Sequence, residues 1–158
     1  MTFTIVCVGR LKEKYLTDAC NEYLKRLSAL KPSVIEIPPE KLKENPSEGE
    51  ISNALYREGV KIKEKIPKNS YIYAMCIEGR EMTSEELSRE IDKAKLNGFS
   101  SVTFIIGGSF GLSPEIKSLA NVRLSMSRMT FPHQLARVML LEQIYRADRI
   151  SQGTRYHK

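Results

Sequence analysis

The chain has 158 residues, 41% of them hydrophobic and 28% charged, and a net charge of +6. That length can bury a core in a single domain without disulfides or metal, and the composition excludes a wholly disordered chain, a collagen-like repeat and a membrane-spanning bundle. Three widely separated cysteines, Cys7, Cys20 and Cys76, form no C-x-x-C pair, so they read as reduced core thiols and not as a disulfide or zinc framework.

The segment "MTFTIVCVGR" has no basic leader and no small-residue cleavage site, and it reads as a first strand over 3–8 that stops at Gly9. A cytoplasmic protein is expected. Tyr15, Leu16, Ala19, Tyr23, Leu24, Leu27 and Leu30 recur at helical spacing and predict an amphipathic helix over 15–30. "SVIEI", 33–37, is a short strand stopped by Pro38 and Pro39, and the polar stretch to Ser47 is the longest loop. A helix follows over about 48–66 and ends before Pro67. "YIYAMCI", 71–77, is a strand closed by Glu78-Gly79-Arg80, and Thr83 with Glu86 forms a capping-box pattern for a helix reaching Asn97-Gly98.

"SVTFII", 101–106, is the most strand-like run, and Ser113-Pro114 beyond it suits an N-cap with proline in the first helical position. "VRLSMS" predicts a fifth strand, and the last helix runs from Pro132-His133 to about Ile150. In that helix Leu140 joins the stripe of Leu135, Val138, Met139, Leu141, Ile144 and Tyr145, more apolar circumference than one-sided packing needs, so a subunit interface is expected. Strands alternating with helices predict a single α/β domain over 1–158, with a mostly parallel sheet of about five to six strands covered on both faces.

The charge is unevenly placed. Residues 121–158 hold seven basic groups against two acidic ones, while the first 120 hold eighteen against seventeen. Six of those seven are arginines, whose planar donor fork suits phosphate, so a polyanionic partner, most naturally nucleic acid, competes with a solvated helix face and a basic tail.

Three segments could carry chemistry. The turn "GGSFG" after the 101–106 strand lies where ligands of open α/β sheets bind, and glycines allow a ligand to pack on main chain. It is neither G-x-G-x-x-G nor a P-loop, and such a turn can equally be structural. "MSRMTFPH", 126–133, puts two methionines and a phenylalanine in a loop, which is either folded onto the core or an apolar wall for a flat ligand; Met75 and Ile77 end on the same sheet edge. "TRYHK", 154–158, combines an aromatic, an imidazole and two cations at a chain end. His133 reads as a hydrogen-bonding residue at a helix start. No metallohydrolase or serine hydrolase motif is present, and no metal is expected.

The run "FIIGGSFGL", the segment "LSMSRMTFPHQLARVMLLEQIYRA" and the ending "YHK", with "VGRLKEKY" near the start, closely resemble the bacterial 23S rRNA pseudouridine-N3-methyltransferases of the SPOUT, or trefoil-knot, superfamily, over essentially the whole chain. The resemblance implies a homodimer with a C-terminal knot that uses S-adenosylmethionine to methylate a pseudouridine of 23S rRNA in the assembled ribosome. It places cofactor contacts on Met75, Gly107, Gly108, Met126, Ser127, Arg128, Met129, Thr130 and Phe131. Leucine is expected where Met75 stands, and the two are close in volume. The glycines at 107, 108 and 111 are then expected to leave room for the cofactor against main chain. His157 is the candidate for proton handling, with Tyr156 and Arg149 beside it in a catalytic set, and Arg128, Arg149, Arg155 and Lys158 are candidates for RNA phosphates. A non-enzymatic RNA- or ribosome-binding protein is the alternative, and a flavodoxin-like nucleotide binder a weaker one.

Overall fold

The computed structural model describes residues 1–154. Five strands, β1 (Thr2–Val8), β2 (Ser33–Ile37), β3 (Ser70–Glu81), β4 (Ser101–Ile106) and β5 (Val122–Ser125), form one sheet in the order β2-β1-β4-β3-β5. Every pairing is parallel, as the alternation of strands and helices predicts. Helices α1 (Lys14–Arg26), α2 (Glu48–Lys65), α3 (Ser84–Leu96), α4 (Pro114–Leu119) and α5 (His133–Ser151) make the crossovers and the C-terminal element. The expected helix over 15–30 is divided, with α1 ending at Arg26 and a 3-10 turn over Ser28–Leu30. None of the described helices is long and apolar enough to cross a membrane.

Side chains alternate across each strand, and here both faces are buried. Phe3, Ile5 and Cys7 of β1, Tyr73 of β3 and Phe104 of β4 face a core closed by α1, α3 and α5. Tyr73 and Phe104 stack with centroids 4.7 Å apart. Val6 and Val8, Ile72 and Ala74, and Ile105 face a smaller core closed by Ile62 of α2 and Ile116 of α4. The predicted capping box is present: Glu86 N–H donates to Thr83 Oγ1 at 3.1 Å and Thr83 N–H to Glu86 Oε2 at 2.8 Å. Ser113 likewise accepts from Ile116 N–H ahead of Pro114.

Two departures from the sequence reading matter for function. Leu140, expected to enlarge an intersubunit face, is fully buried in the chain's own core with Leu141 and Ile144, because α5 packs on both α1 and α3. The apolar groups that α5 leaves partly exposed are Leu135, Ala136, Val138, Met139, Tyr145 and Ile150. The third strand also continues to Glu81 instead of ending at Ile77, and its register with β5 slips on the way, with both Met75 and Arg80 opposite Leu124. Cys76–Gly79 therefore bulges out of the ladder at the carboxyl end of the sheet.

Truncating Leu141 to alanine is expected to cost about 3 kcal/mol, since it opens a cavity between the sheet and α5. Leu96→Ala, at a side chain 85% exposed, should stay within about 0.5 kcal/mol of wild type in the same urea denaturation measurement.

Candidate ligand cavity at the carboxyl end of the sheet

The ends of β3, β4 and β5 open into a cavity of about 840 Å³, a size typical of small-molecule sites. Its walls come from three stretches that are remote in sequence: the end of β3 with its bulge, the glycine turn with Lys117 of α4 beyond it, and the run from the end of β5 through the loop 126–132 into the first turn of α5. Eight of the nine predicted cofactor residues line it: Met75, Gly107, Gly108, Met126, Ser127, Met129, Thr130 and Phe131. Arg128 does not. Its side chain is 94% exposed and points toward Glu81, with Nε 3.9 Å from the carboxylate, which leaves it on the surface beside the cavity.

The glycines have a different reason from the one expected. A Cβ on Gly107 would lie 2.4 Å from the Gly111 carbonyl oxygen, and one on Gly108 would press on Val8 Cγ1 at 3.3 Å. The turn closes on itself, with Gly111 N–H donating to Gly108 O at 3.0 Å, and Gly111 has φ +80°. A side chain at 108 would need Val8 to give way by a few tenths of an ångström, and one at 107 is excluded by the chain's own main chain. Gly79 belongs to the same class, because its Cβ would meet the Arg123 and Leu124 main chain at 2.8 Å. The bulge is pressed that closely onto β5.

The loop 126–132 is shaped by two local hydrogen bonds. Ser125 Oγ donates to Ser127 O at 2.9 Å, and Met129 N–H to Ser127 Oγ at 3.0 Å. This tight turn holds Met126 and Phe131 half-buried against the cavity and leaves Met129 71% exposed at its rim. Of the two readings open for this loop, apolar wall and core cover, Met126 serves both, since it also packs on the larger core.

Polar groups on the wall are few. Glu78 on the bulge and Lys117 on α4 form an ion pair, and the lysine's hydrogen bond is the main reason the Glu78 carboxyl is held below its ordinary range. Cys76, expected in the core, is half-buried on this wall. Burial pushes its thiol up; burial also pushes the Cys7 thiol up, to about 12, despite the opposing charge of Arg137. His133 also lines the cavity, and its pKa is lowered by burial first and then by Arg137 and Lys12. Its expected part as a hydrogen-bonding residue at the helix start is not seen, because α5 begins after Pro132 with no side-chain cap.

Arg137 is not a surface cation. Its side chain is 3% exposed, Nη1 donates to Glu36 Oε1 at 2.6 Å and Nη2 to Gly9 O at 2.9 Å, which fastens the first turns of α5 to the ends of β1 and β2. Arg149, predicted in the catalytic and RNA-binding sets, lies near the other end of α5 and bonds to Thr154 and Gln152, away from the cavity of its own chain. Arg155, Tyr156, His157 and Lys158 lie outside the described residues.

The sequence matches the family model described as predicted SPOUT methyltransferase over residues 1–157. This chain belongs to the SPOUT methyltransferases. It is 48% identical to the ribosomal RNA large subunit methyltransferase H of Leuconostoc mesenteroides and 49% identical to that of Bacillus thuringiensis, over the full length of both partners in each case. A methylase family protein of known structure from Neisseria gonorrhoeae is 17% identical, with a TM-score of 0.49 over 91% of this chain and 81% of that one. Within this SPOUT methyltransferase, sequence reasoning placed Ile77 on this edge and His133 at the end of the apolar segment, but missed Cys76, Glu78 and Gly79 of the bulge and Lys117. Gly79 after an apolar strand was the available signal for the first; nothing local marks Lys117.

Gly107→Ala is expected to cost about 2 kcal/mol or more in thermal or urea unfolding, through the clash with Gly111. Gly49→Ala, in the first turn of α2 with no atom closer than 4.0 Å, should be neutral or stabilising by about 0.5 kcal/mol.

Proposed function

We propose that this SPOUT methyltransferase transfers a methyl group from S-adenosylmethionine to N3 of a pseudouridine in a stem-loop of 23S rRNA, acting in the cytoplasm on the assembled ribosome. The observation that carries the reading is identity of about one half, from end to end, with ribosomal RNA large subunit methyltransferases H. The cavity built from the predicted cofactor segments is consistent with it.

The cavity suits this donor. Met75, Met126 and Phe131 offer apolar walls to the flat adenine, the main chain at 107–108 supplies hydrogen-bonding groups, and the Glu78–Lys117 pair supplies both signs of charge for a zwitterionic amino-acid end. When bound, the donor supplies an electrophilic sulfonium methyl. The work left to the protein is to align acceptor nitrogen, methyl and departing sulfur, to exclude water and to receive the imide proton. The N3–methyl bond forms as the sulfur–methyl bond breaks, and no covalent bond to the protein is needed.

Chain length supports a second copy of the chain as the source of the predicted tail residues. Arg149 stands thirteen residues beyond Ala136, the last α5 residue on the cavity wall, about 20 Å along a helix. Thr154 is hydrogen-bonded back to Arg149, and three further residues reach at most about 11 Å. For His157 to handle the proton and Tyr156 to contact the nucleotide, entry from a partner chain is the arrangement this reading favours. A homodimer is part of the same reading, with Arg128 beside the cavity and Arg149, Arg155 and Lys158 as phosphate contacts. The C-terminal knot is part of the same reading, supported by the tight seating of the β3 bulge on β5.

Ribosomes from cells lacking the gene, incubated with the protein and methyl-labelled donor, should carry label on N3 of one large-subunit pseudouridine. Binding to ribosomes without label would favour the non-enzymatic RNA binder. If the tail acts across a dimer, chains carrying Met75→Arg and chains carrying His157→Ala, each inactive alone, should regain about a quarter of wild-type turnover when mixed and reassembled, because half of the dimers pair one of each and own one intact site. No recovery in mixed dimers would place the tail on its own chain's cavity or outside the reaction.

A further inference from the structure

Of the chain's two histidines, His133 is the one within the described residues. It is half-buried on the cavity wall, two positions beyond the apolar Phe131, and no hydrogen bond fixes either ring nitrogen among the described residues. The ring is seated over Gly9, with Nε2 3.4 Å from where a Cβ on that glycine would stand. An imidazole this well placed and this poorly partnered is a group waiting for a ligand. Its charged neighbours settle which kind. Lys12 approaches from the segment after β1, and Arg137 lies one turn along the same helix, its own charge met by Glu36 of β2 and the Gly9 carbonyl. The amino end of α5 adds partial positive charge. Elsewhere on the cavity wall, Glu78 is already paired with Lys117, and Cys76 has a raised thiol pKa.

Such surroundings make a poor proton acceptor, since the imidazolium would form beside two cations and against burial. They make a good neutral hydrogen-bonding group, which a cationic sulfonium ligand requires of a site that already holds positive charge. We infer that His133 binds the methyl donor through a neutral imidazole that accepts a hydrogen bond from an uncharged polar edge of its adenosyl part. This rests on the donor assignment above. The apolar walls of Met126 and Phe131 hold the flat base by contact, and His133, next along the chain from that wall, supplies the directional bond that apolar contact lacks.

The sign of the pH dependence follows. The folded-state pKa lies below the ordinary 6.5, so the ring is neutral at pH 7 and gains charge only as pH falls through that lowered value. Affinity for S-adenosylmethionine should therefore fall in acid, and affinity for S-adenosylhomocysteine, which has no sulfonium charge, should fall less. Calorimetric titration of the full chain with both compounds between pH 7 and 4.5, where the ligand amino group stays protonated, reads this directly. Wild type is expected to lose about tenfold in S-adenosylmethionine affinity across that range, the worth of about one hydrogen bond. His133→Asn, which keeps a neutral donor and acceptor, should bind within about threefold of wild type at pH 7 and lose much less in acid. His133→Leu should bind about tenfold more weakly at pH 7, with circular dichroism confirming its fold. His157→Ala should keep the wild-type profile.

Wild-type affinity at pH 7 in a folded His133→Leu protein would overturn the inference, as would an acid loss equally steep in His133→Asn or abolished by His157→Ala. If His133→Leu fails to fold, the His133→Asn comparison alone decides. Wild-type protein that binds neither compound at any pH would instead overturn the donor assignment on which the inference stands.

Discussion

The cavity depends on one buried cation. Arg137 reaches from the second turn of α5 to the carboxyl ends of β1 and β2, and it fixes where α5 starts relative to the sheet. Everything between β5 and α5 is a seven-residue loop, so the position of that start sets the position of the loop. A hydrophobic residue of similar size could fill the same space at no loss of stability, and the unpartnered Nε of Arg137 shows that its hydrogen bonding is incomplete. What an apolar side chain could not supply is direction. Two bonds to groups on different strands hold the helix in one place, and the half-buried loop of Met126 to Phe131 inherits that precision.

The opposite wall is held by closeness instead of charge. Gly79 and Gly107 both stand where main chain meets main chain at distances no side chain permits. At Gly79 the meeting brings the β3 bulge over β5, and at Gly107 it closes the turn after β4. The cavity is what remains between these two self-contacts. A ligand there sees main chain because the chain has already packed its glycines against itself, which differs from glycines reserved for the ligand. Mutational loss of binding at Gly107 therefore reports first on the shape of the wall.

Much of this was legible in the sequence. The strands "SVIEI" and "SVTFII" have their predicted bounds, because branched apolar runs flanked by proline or glycine leave little choice, and the Thr83–Glu86 box and the Ser113-Pro114 start are local devices that work as local rules say. Eight cofactor positions came from resemblance, and they meet in one cavity although they sit on three separate segments. What periodicity could not reveal was nonlocal. "YIYAMCIEGRE" ends in polar residues, so its last four look like a loop; Arg80 and Glu81 return to the ladder only because β5 lies beside them in a slipped register. The burial of Leu140 had the same origin, since α5 is gripped by α1 and α3 on two sides and its wide apolar face is consumed within the chain.

Charge was the most misleading signal, and its correction narrows how RNA could be held. Seven basic groups in the last 38 residues suggested a basic face, yet Arg137 is buried, Arg146 is paired with Glu142, and Arg149 is engaged with Gln152 and Thr154. Arg128, beside the loop that walls the cavity, and Arg123 on β5 are the exposed cations of this group among the described residues, and Arg155 and Lys158 belong to the tail. Phosphate contacts in the proposed reaction then come from two places, the cavity rim and a tail that chain length brings from a partner. Such an arrangement gives RNA affinity at the site only when both chains are present. On that proposal, dimer assembly is a condition for recognising the substrate as well as for the chemistry.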